Sequence, residues 1–136
     1  MAKITKINHI AIAVPEIDAA LNFWRDALGM ELTAIEDVPA QRSEVAFLPA
    51  GESEVELVRP VTDDSGLARF LKEKGPGLHH LCFEVDDLEE MLEDLKGKGI
   101  RLINEKPEVL PGRKMAFIHP KATGGVLVEL YQITRL

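Results

Sequence analysis

Two copies of one sequence pattern span most of this chain of 136 residues. The first copy opens with NHIAIAV at residues 8–14, and the second opens with HHLCFEV at residues 79–85. Each copy ends on the tripeptide Val-Glu-Leu, at residues 55–57 and 128–130. An internal repeat indicates structural units of one kind that bury a core together. The repeat therefore restricts the fold to two similar modules.

Each copy carries a histidine early and a glutamate late. His80 follows His9 by 71 positions, and Glu129 follows Glu56 by 73 positions. One loop can absorb the small difference between these two shifts. Because the spacing is kept at both ends, the four residues occupy matching places in the two modules.

Each module is predicted to fold as β-α-β-β-β. The alternating polarity of residues 6–14 is typical of a strand and places His9 on the face opposite its apolar side chains. Apolar residues three or four apart then predict a helix that packs on the sheet, with Ile17, Leu21, Trp24 and Leu28 on its buried face. The second module repeats this pattern, with a helix after Asp87, a residue type favoured at helix N-termini.

The remaining strands follow from apolar runs between turn residues. They are predicted near residues 30–36, 43–49 and 53–59 in the first module, and near 79–85, 100–103, 113–119 and 125–133 in the second. The whole chain is expected to form a single domain, 1–136. Residues 1–60 would form the first module, 61–77 a connector with a short helix, and 78–136 the second module.

Charge and composition exclude several classes of protein. The net charge of −7 argues against nucleic acid as a partner, because phosphate backbones attract basic surfaces. No apolar run approaches the roughly 20 residues of a membrane-spanning helix. Cys82 is the single cysteine and is expected in the core, so no internal disulfide can form. The start of the chain lacks the apolar stretch of a signal peptide. These features predict a cytoplasmic protein without a membrane partner.

The matched residues suit a metal site. Alternation along the second strand selects His80, rather than His79, as the counterpart of His9. Glu56 and Glu129 each stand between apolar residues, so both point away from that apolar face. A buried carboxylate needs compensation, and a metal ion provides it. Two imidazoles and two carboxylates suit a divalent ion such as Co, Ni, Mn, Fe or Zn.

We therefore predict an α+β fold with two βαβββ modules paired by a pseudo-twofold axis. Each sheet would curl around the metal cavity, and the two modules together would hold one divalent metal ion there. The predicted metal ligands are His9, Glu56, His80 and Glu129.

Several stretches resemble the vicinal oxygen chelate superfamily, whose paired βαβββ modules form a metal cavity. NHIAIAV at residues 8–14 is common across that superfamily. Three further stretches resemble its methylmalonyl-CoA epimerases over essentially the whole chain. They are ARFL at 68–71, GLHHLCFEVDD at 77–87, and FIHPK at 117–121 with GGVLVEL at 124–130.

This resemblance implies an isomerase that moves the α-proton of methylmalonyl-CoA through an enolate. It implies the ligand set His9, Glu56, His80 and Glu129, with cobalt as the favoured ion. It also implies an acyl-CoA substrate. A homodimer is expected as well, because the exposed edges of such curled sheets often pair. Glu129 is the expected catalytic base, and Glu44 is the carboxylate nearest to the position of a second base. An ungapped alignment places Val45 at that position.

Other functions of the same fold stay open from the sequence. The His/Glu/His/Glu set is also that of some bacterial glyoxalases, so a lyase acting on a glutathione–methylglyoxal hemithioacetal is the alternative. An extradiol dioxygenase would use two histidines and one glutamate. A drug-binding protein of this fold usually lacks the full ligand set. The phosphates of an acyl-CoA would require basic residues at the rim of the cavity, and strand ends offer Arg42, Arg113, Lys114 and Lys121.

Overall fold

The computed structural model describes residues 1–134. This part of the chain divides into two compact units. One unit runs from His9 to His79, and the other combines Met1–Asn8 with the chain from His80 onward. Among the helices of the described residues, none has the length and apolar character needed to cross a membrane.

The unit from His9 to His79 holds four strands in the order β2-β3-β4-β1. They are β1 (Ile4–Ala13), β2 (Ala34–Val38), β3 (Ser43–Ala50) and β4 (Ser53–Pro60). β1 runs parallel to β4, whereas β3 is antiparallel to both of its neighbours. Its helices are α1 (Ile17–Leu21), which continues as a π-helix over Asn22–Ala27, and α2 (Gly66–Lys74).

The other unit repeats this arrangement with the order β5-β8-β7-β6. Its elements are β5 (Gly77–Val85), α3 (Leu88–Gly97), β6 (Glu108–Leu110), β7 (Arg113–Ile118) and β8 (Val128–Ile133). β5 runs parallel to β8, and β7 is antiparallel to β6 and β8. The start of β1 lies beside β5 in this unit, where the Thr5 hydroxyl donates to the Glu84 carbonyl at 3.1 Å. Both predicted β-α-β-β-β modules are therefore confirmed.

Each unit packs a helix on one face of its strands. α1 buries Ile17 and Leu21 against a cluster that also contains Ala46, Leu48 and Leu57. α3 does the same in the other unit, where Leu88 and Leu92 lie with Ala116, Ile118 and Leu130. On the second face of the first unit, Leu67 of α2 packs with Ala11, Ala13, Val45 and Val58. This second face is the one that carries His9 and Glu56, by strand alternation.

The first predicted helix is irregular. Residues 17–21 are α-helical, but residues 22–27 form a π-helix, in which Leu28 N donates to Phe23 O at 2.8 Å. The extra residue in each π-turn moves later side chains out of the 3.6-residue period. Leu28 is consequently 55% exposed, and its predicted place in the buried face was wrong.

The strand predicted at residues 100–103 was also wrong. In the described chain this segment forms an isolated bridge from Leu102 to Ile118, and the edge strand β6 forms later. The Asn104 side chain accepts a hydrogen bond from Phe117 N at 2.8 Å. This side chain takes the place of a backbone carbonyl, so the ladder ends there.

The buried face of β4 gives a stability prediction. Leu57 is completely buried, so Leu57→Ala leaves a cavity and is expected to lower the free energy of unfolding by about 2–5 kcal/mol. Urea denaturation measures this change. Leu28→Ala is the matched control, because its side chain is mostly exposed and should change the value by less than about 0.5 kcal/mol. Equal losses in both variants would contradict this account of the core.

Candidate metal centre

His9 and Glu56 form a close buried pair in the unit from His9 to His79. The His9 Nδ1 atom lies 3.2 Å from Glu56 Oε2. His9 is 1% exposed and Glu56 is 9% exposed. His9 comes from β1 and Glu56 from the adjacent parallel strand β4, where Glu56 lies opposite Ala11.

His80 and Glu129 form the corresponding pair in the other unit. The His80 Nε2 atom lies 3.0 Å from Glu129 Oε1, and both side chains are almost completely buried. His80 comes from β5 and Glu129 from the parallel strand β8, where Glu129 lies opposite Cys82. In both units, therefore, the residue opposite the glutamate lies two positions after the histidine.

This shared register is the structural form of the sequence repeat. Ala11 and Cys82 occupy equivalent positions, since both lie two residues after a histidine and directly opposite a glutamate. Residues two apart on a strand share a face, so each histidine projects on the side of its glutamate. Each unit thus contains one imidazole and one carboxylate at the same strand register, with the Nδ1 atom of His9 and the Nε2 atom of His80 nearest the glutamate.

His79 has a different environment from His80. Its ring packs edge-on against Phe70 of α2, with ring centroids 4.9 Å apart. His80, in contrast, contacts the Phe117 ring edge-on at 5.7 Å and pairs with Glu129. The pair with Glu129 is formed by His80, the residue that strand phase selects, and its role as a metal ligand stays a prediction.

The structure adds neighbours that the sequence did not identify. Phe47 lies directly across from Glu56, and Phe117 lies directly across from Glu129. The Cys82 sulfur is buried as expected, and it also lies within 4.8 Å of a Glu129 carboxylate oxygen. Apolar and sulfur groups therefore surround the carboxylates and limit the access of water. The alternation of β3 and β7 predicts which face each phenylalanine occupies. Only the strand register shows that Phe47 and Phe117 lie across from the two glutamates.

Glu44 is not placed with the predicted ligands. It lies across from Arg59 on β3 and β4, whereas Phe47 is the residue across from Glu56. Because successive side chains alternate, Glu44 projects from the opposite face of the sheet to Glu56. Its carboxylate instead accepts a hydrogen bond from Arg59 Nε at 3.1 Å. The position on the face of Glu56 belongs to Val45, so the proposed role of Glu44 as a base is not supported.

His119 ends the β7 segment beside two basic residues. Its Nδ1 atom accepts a hydrogen bond from Lys121 N at 3.1 Å. Partial burial lowers the pKa of His119 below its ordinary value, and the positive charges of Arg101 and Lys121 lower it further. The imidazole is therefore neutral over a wider pH range than a free histidine, with its proton on Nε2.

The donor sets fit a divalent metal ion. Metal bonds of about 2.1 Å at right angles would separate neighbouring donor atoms by about 3.0 Å. The observed separations of 3.2 Å and 3.0 Å are close to this value in both units. Imidazole and carboxylate donors suit borderline divalent ions.

Comparisons with known proteins agree with this geometry. Residues 8–117 match the glyoxalase/bleomycin resistance protein/dioxygenase superfamily. Mitochondrial methylmalonyl-CoA epimerase of Mus musculus is 39% identical, over 96% of this chain and 74% of its own length. The ethylmalonyl-CoA/methylmalonyl-CoA epimerase of Cereibacter sphaeroides is also 39% identical, over 96% of this chain and 99% of that protein.

A solved structure extends the likeness to the fold. A variant of Streptomyces coelicolor methylmalonyl-CoA epimerase, in complex with 2-nitronate-propionyl-CoA, has a TM-score of 0.89 and 30% identity, over 98% of this chain and 100% of that one. A lactoylglutathione lyase from Arabidopsis thaliana is more distant, at 26% identity over 91% of this chain and 43% of that protein. The chain therefore belongs to the glyoxalase/bleomycin resistance protein/dioxygenase superfamily and, within it, to the methylmalonyl-CoA epimerase family.

Proposed function

We propose that this protein interconverts the two epimers of methylmalonyl-CoA. The observation that carries the proposal is the pair of buried His–Glu contacts at equivalent register in the two modules. Membership of the epimerase family supports the substrate. The wider superfamily uses this architecture for several reactions, so the fold by itself does not select one.

We propose that His9, Glu56, His80 and Glu129 hold one divalent metal ion. Their donor chemistry and the separations within each pair support this role. When bound, the ion would act as a Lewis acid that polarises the substrate oxygens and lowers the cost of enolate formation. The buried surroundings of His9 and Glu129 would strengthen this effect, because water is excluded there.

The reaction itself requires one proton to leave and another to arrive. The substrate α-carbon stands between a thioester carbonyl and a carboxylate, so loss of its proton gives an enolate. The Glu129 carboxylate would take that proton, and a second acid would deliver another proton to the opposite face of the planar carbon. Glu56 is the candidate for this acid, a role that requires its carboxyl group to be protonated and released from the ion. The α C–H bond is broken on one face and formed on the other, which inverts the centre. Glu44 projects from the other face of its sheet, so we propose no role for it in this step.

The alternative lyase reaction shares the same four ligands. The lactoylglutathione lyase of Arabidopsis thaliana is 26% identical to this chain, whereas the epimerase of Mus musculus is 39% identical. The epimerase reaction is therefore favoured. Cobalt as the ion, a homodimeric assembly and a cytoplasmic location stay predictions.

A paired assay tests the function directly. The protein is incubated in D₂O with methylmalonyl-CoA and, separately, with the methylglyoxal–glutathione hemithioacetal. We expect deuterium to enter the α-position of the thioester substrate, as followed by mass spectrometry, while the hemithioacetal is not converted. Conversion of the hemithioacetal without deuterium exchange would instead support the lyase.

The position of Glu44 gives a separate prediction. Glu44→Gln removes the charge that faces Arg59, at a partly exposed pair, and leaves the opposite face of the sheet intact. Because Glu44 faces away from Glu56, we expect kcat for deuterium exchange to stay within about twofold of its value in the unmodified protein. Loss of a general base would instead lower kcat by at least about 100-fold. A loss of 100-fold or more, with the fold preserved by circular dichroism, would show that Glu44 is the second base after all.

A further inference from the structure

The Phe117 ring lies beside the buried His–Glu pair of the second module. It contacts the His80 imidazole edge-on, with ring centroids 5.7 Å apart and ring planes at 88°. Its position on β7 is directly across from Glu129 on β8. Since His80 Nε2 lies 3.0 Å from Glu129 Oε1, the three side chains form one group on the same face of the strands.

Core packing does not account for the position of the Phe117 ring. Its neighbours on β7, Ala116 and Ile118, are buried in the core beneath α3. Successive side chains on a strand alternate, so Phe117 projects from the opposite face, where it is only partly buried. The ring therefore faces the predicted ligands and leaves core packing to the residues on either side.

The backbone of Phe117 is held by the segment around Asn104. Phe117 N donates to the Asn104 side-chain oxygen at 2.8 Å. Phe117 O accepts from Ile103 N at 2.9 Å and from Asn104 N at 3.3 Å. Asn104 is thus bonded to both the amide and the carbonyl of Phe117. These bonds give the ring a defined starting point from which it can constrain a neighbouring side chain.

The orientation of the His80 ring decides whether it can bind an ion. A half-turn about the bond from Cβ to the ring exchanges the places of Nε2 and Cε1, and a C–H group has no lone pair for a metal. Torsions of this kind have broad preferences that are roughly twofold, so the side chain by itself does not select one orientation. Its surroundings must therefore select the orientation in which Nε2 faces Glu129.

The hydrogen bond to Glu129 cannot hold the ring once an ion is bound. His80 Nε2 and a Glu129 oxygen would then both direct lone pairs at the ion, so no proton could join them. The contact between the His80 and Phe117 rings does not depend on that hydrogen bond. Edge-on aromatic pairs are favourable beyond the area that they bury, so this contact can hold the ring in both states.

The first module shows that equal register does not fix the orientation of a histidine ring. Phe47 occupies the place that matches Phe117, across from Glu56, and it packs against the apolar cluster beneath α2. In that module His9 presents Nδ1 to its glutamate, whereas His80 presents Nε2. The neighbours of each imidazole must account for this difference, because the strand positions are equivalent.

We propose that Phe117 is a positioning residue for the metal centre. Its ring holds the His80 imidazole in the orientation that binds the ion, and Asn104 holds the backbone of Phe117. This inference rests on the proposed role of His80 as a metal ligand. Groups that orient a ligating histidine raise the affinity of the site, and their removal lowers metal affinity about 10- to 100-fold.

Binding of Co²⁺ to the protein after its metal has been removed with a chelator tests the proposal. Phe117→Leu keeps an apolar side chain but removes the ring, and Phe83→Leu makes the same change on β5, where Phe83 packs against the core beneath α3. We expect Phe117→Leu to raise the Kd for Co²⁺, measured by calorimetry, about tenfold. The visible absorption of bound Co²⁺, which reports its ligand geometry, should also change. Phe83→Leu should lower the thermal midpoint of unfolding but leave the Kd and the absorption unchanged.

Asn104 offers a rescue experiment. Asn104→Ala removes the acceptor for the Phe117 amide, so it should weaken Co²⁺ binding, though less than Phe117→Leu does. Asn104→Asp keeps an oxygen acceptor at this place, and its Kd for Co²⁺ should match that of the unmodified protein. If Asn104→Ala lowers the thermal midpoint without changing the Kd, Asn104 serves stability alone and its part in the proposal is wrong.

Two results would overturn the positioning role of Phe117. One is an unchanged Kd and absorption in Phe117→Leu. The other is an equal rise in Kd in Phe83→Leu, which would trace the effect to a general loss of packing. Deuterium exchange by the unmodified protein separates this inference from the proposed function. Exchange without an effect of Phe117→Leu on Co²⁺ binding removes the positioning role and leaves the function. The expected effect on Co²⁺ binding in a protein that does not exchange the α-proton supports the positioning role and removes the proposed reaction.

Discussion

Glu129→Gln is expected to lower the rate of α-proton exchange in methylmalonyl-CoA by about 100- to 10,000-fold. A glutamine side chain has the same shape as glutamate, but its amide does not accept a proton at neutral pH. Glu129 is 1% exposed, and its Oε1 atom lies 3.0 Å from His80 Nε2. A carboxylate dissolved in the buffer therefore cannot reach this position and replace the missing base. Deuterium incorporation measured by mass spectrometry follows this step without depending on later reactions.

Two controls make the Glu129 result specific. Glu93→Gln changes an exposed carboxylate on α3 that pairs with Lys96, and the exchange rate should be unchanged. The metal content of Glu129→Gln separates loss of the base from loss of the ion. If the variant keeps its metal and still exchanges the α-proton at the original rate, Glu129 is not the base.

Removal of the divalent ion is expected to abolish exchange and to lower the thermal midpoint of unfolding. A ligand that binds the folded state alone stabilises it by about 2.7 kcal/mol when present at 100 times its dissociation constant. Dialysis against a chelator should therefore reduce the midpoint by several degrees, and adding back a divalent ion should restore both properties. Calorimetry and elemental analysis measure stability and metal content independently of activity.

The two neighbouring histidines offer a matched pair of variants for the same test. His80→Asn removes a predicted ligand, and the purified protein should lose its stoichiometric metal. His79→Asn changes a ring that packs against Phe70, and the metal should be retained. Equal loss of metal in the two variants would contradict the assignment of His80 as the ligand.

The modules were predictable because each strand reveals its faces locally. His9 and His80 alternate with apolar residues, and this period of two holds whatever the rest of the chain does. The same reasoning placed Glu56 and Glu129 opposite their apolar neighbours. The helix spacing was less reliable, because the π-turn at residues 22–27 changes the period without a clear signal in composition.

Glu44 shows why a catalytic base cannot be assigned to a residue only because it is next to the expected position in the sequence. A shift of one residue along a strand moves a side chain to the other face, so Glu44 and Val45 have opposite surroundings. The pairing of Arg59 with Glu44, and of Phe47 with Glu56, follows from the antiparallel register of β3 and β4. That register depends on which residues the two strands bury together.

The sequence by itself determined the repeat, the two βαβββ modules, and the four residues expected to bind a metal. Each of these follows from local alternation and from the spacing between the copies. Only the tertiary structure decided which residues face one another across strands. It brought His9 to Glu56 and His80 to Glu129, separated Glu44 from them, and placed Arg101 beside His119. Such pairings join residues far apart in the chain, so their geometry depends on strand register and packing rather than on local pattern.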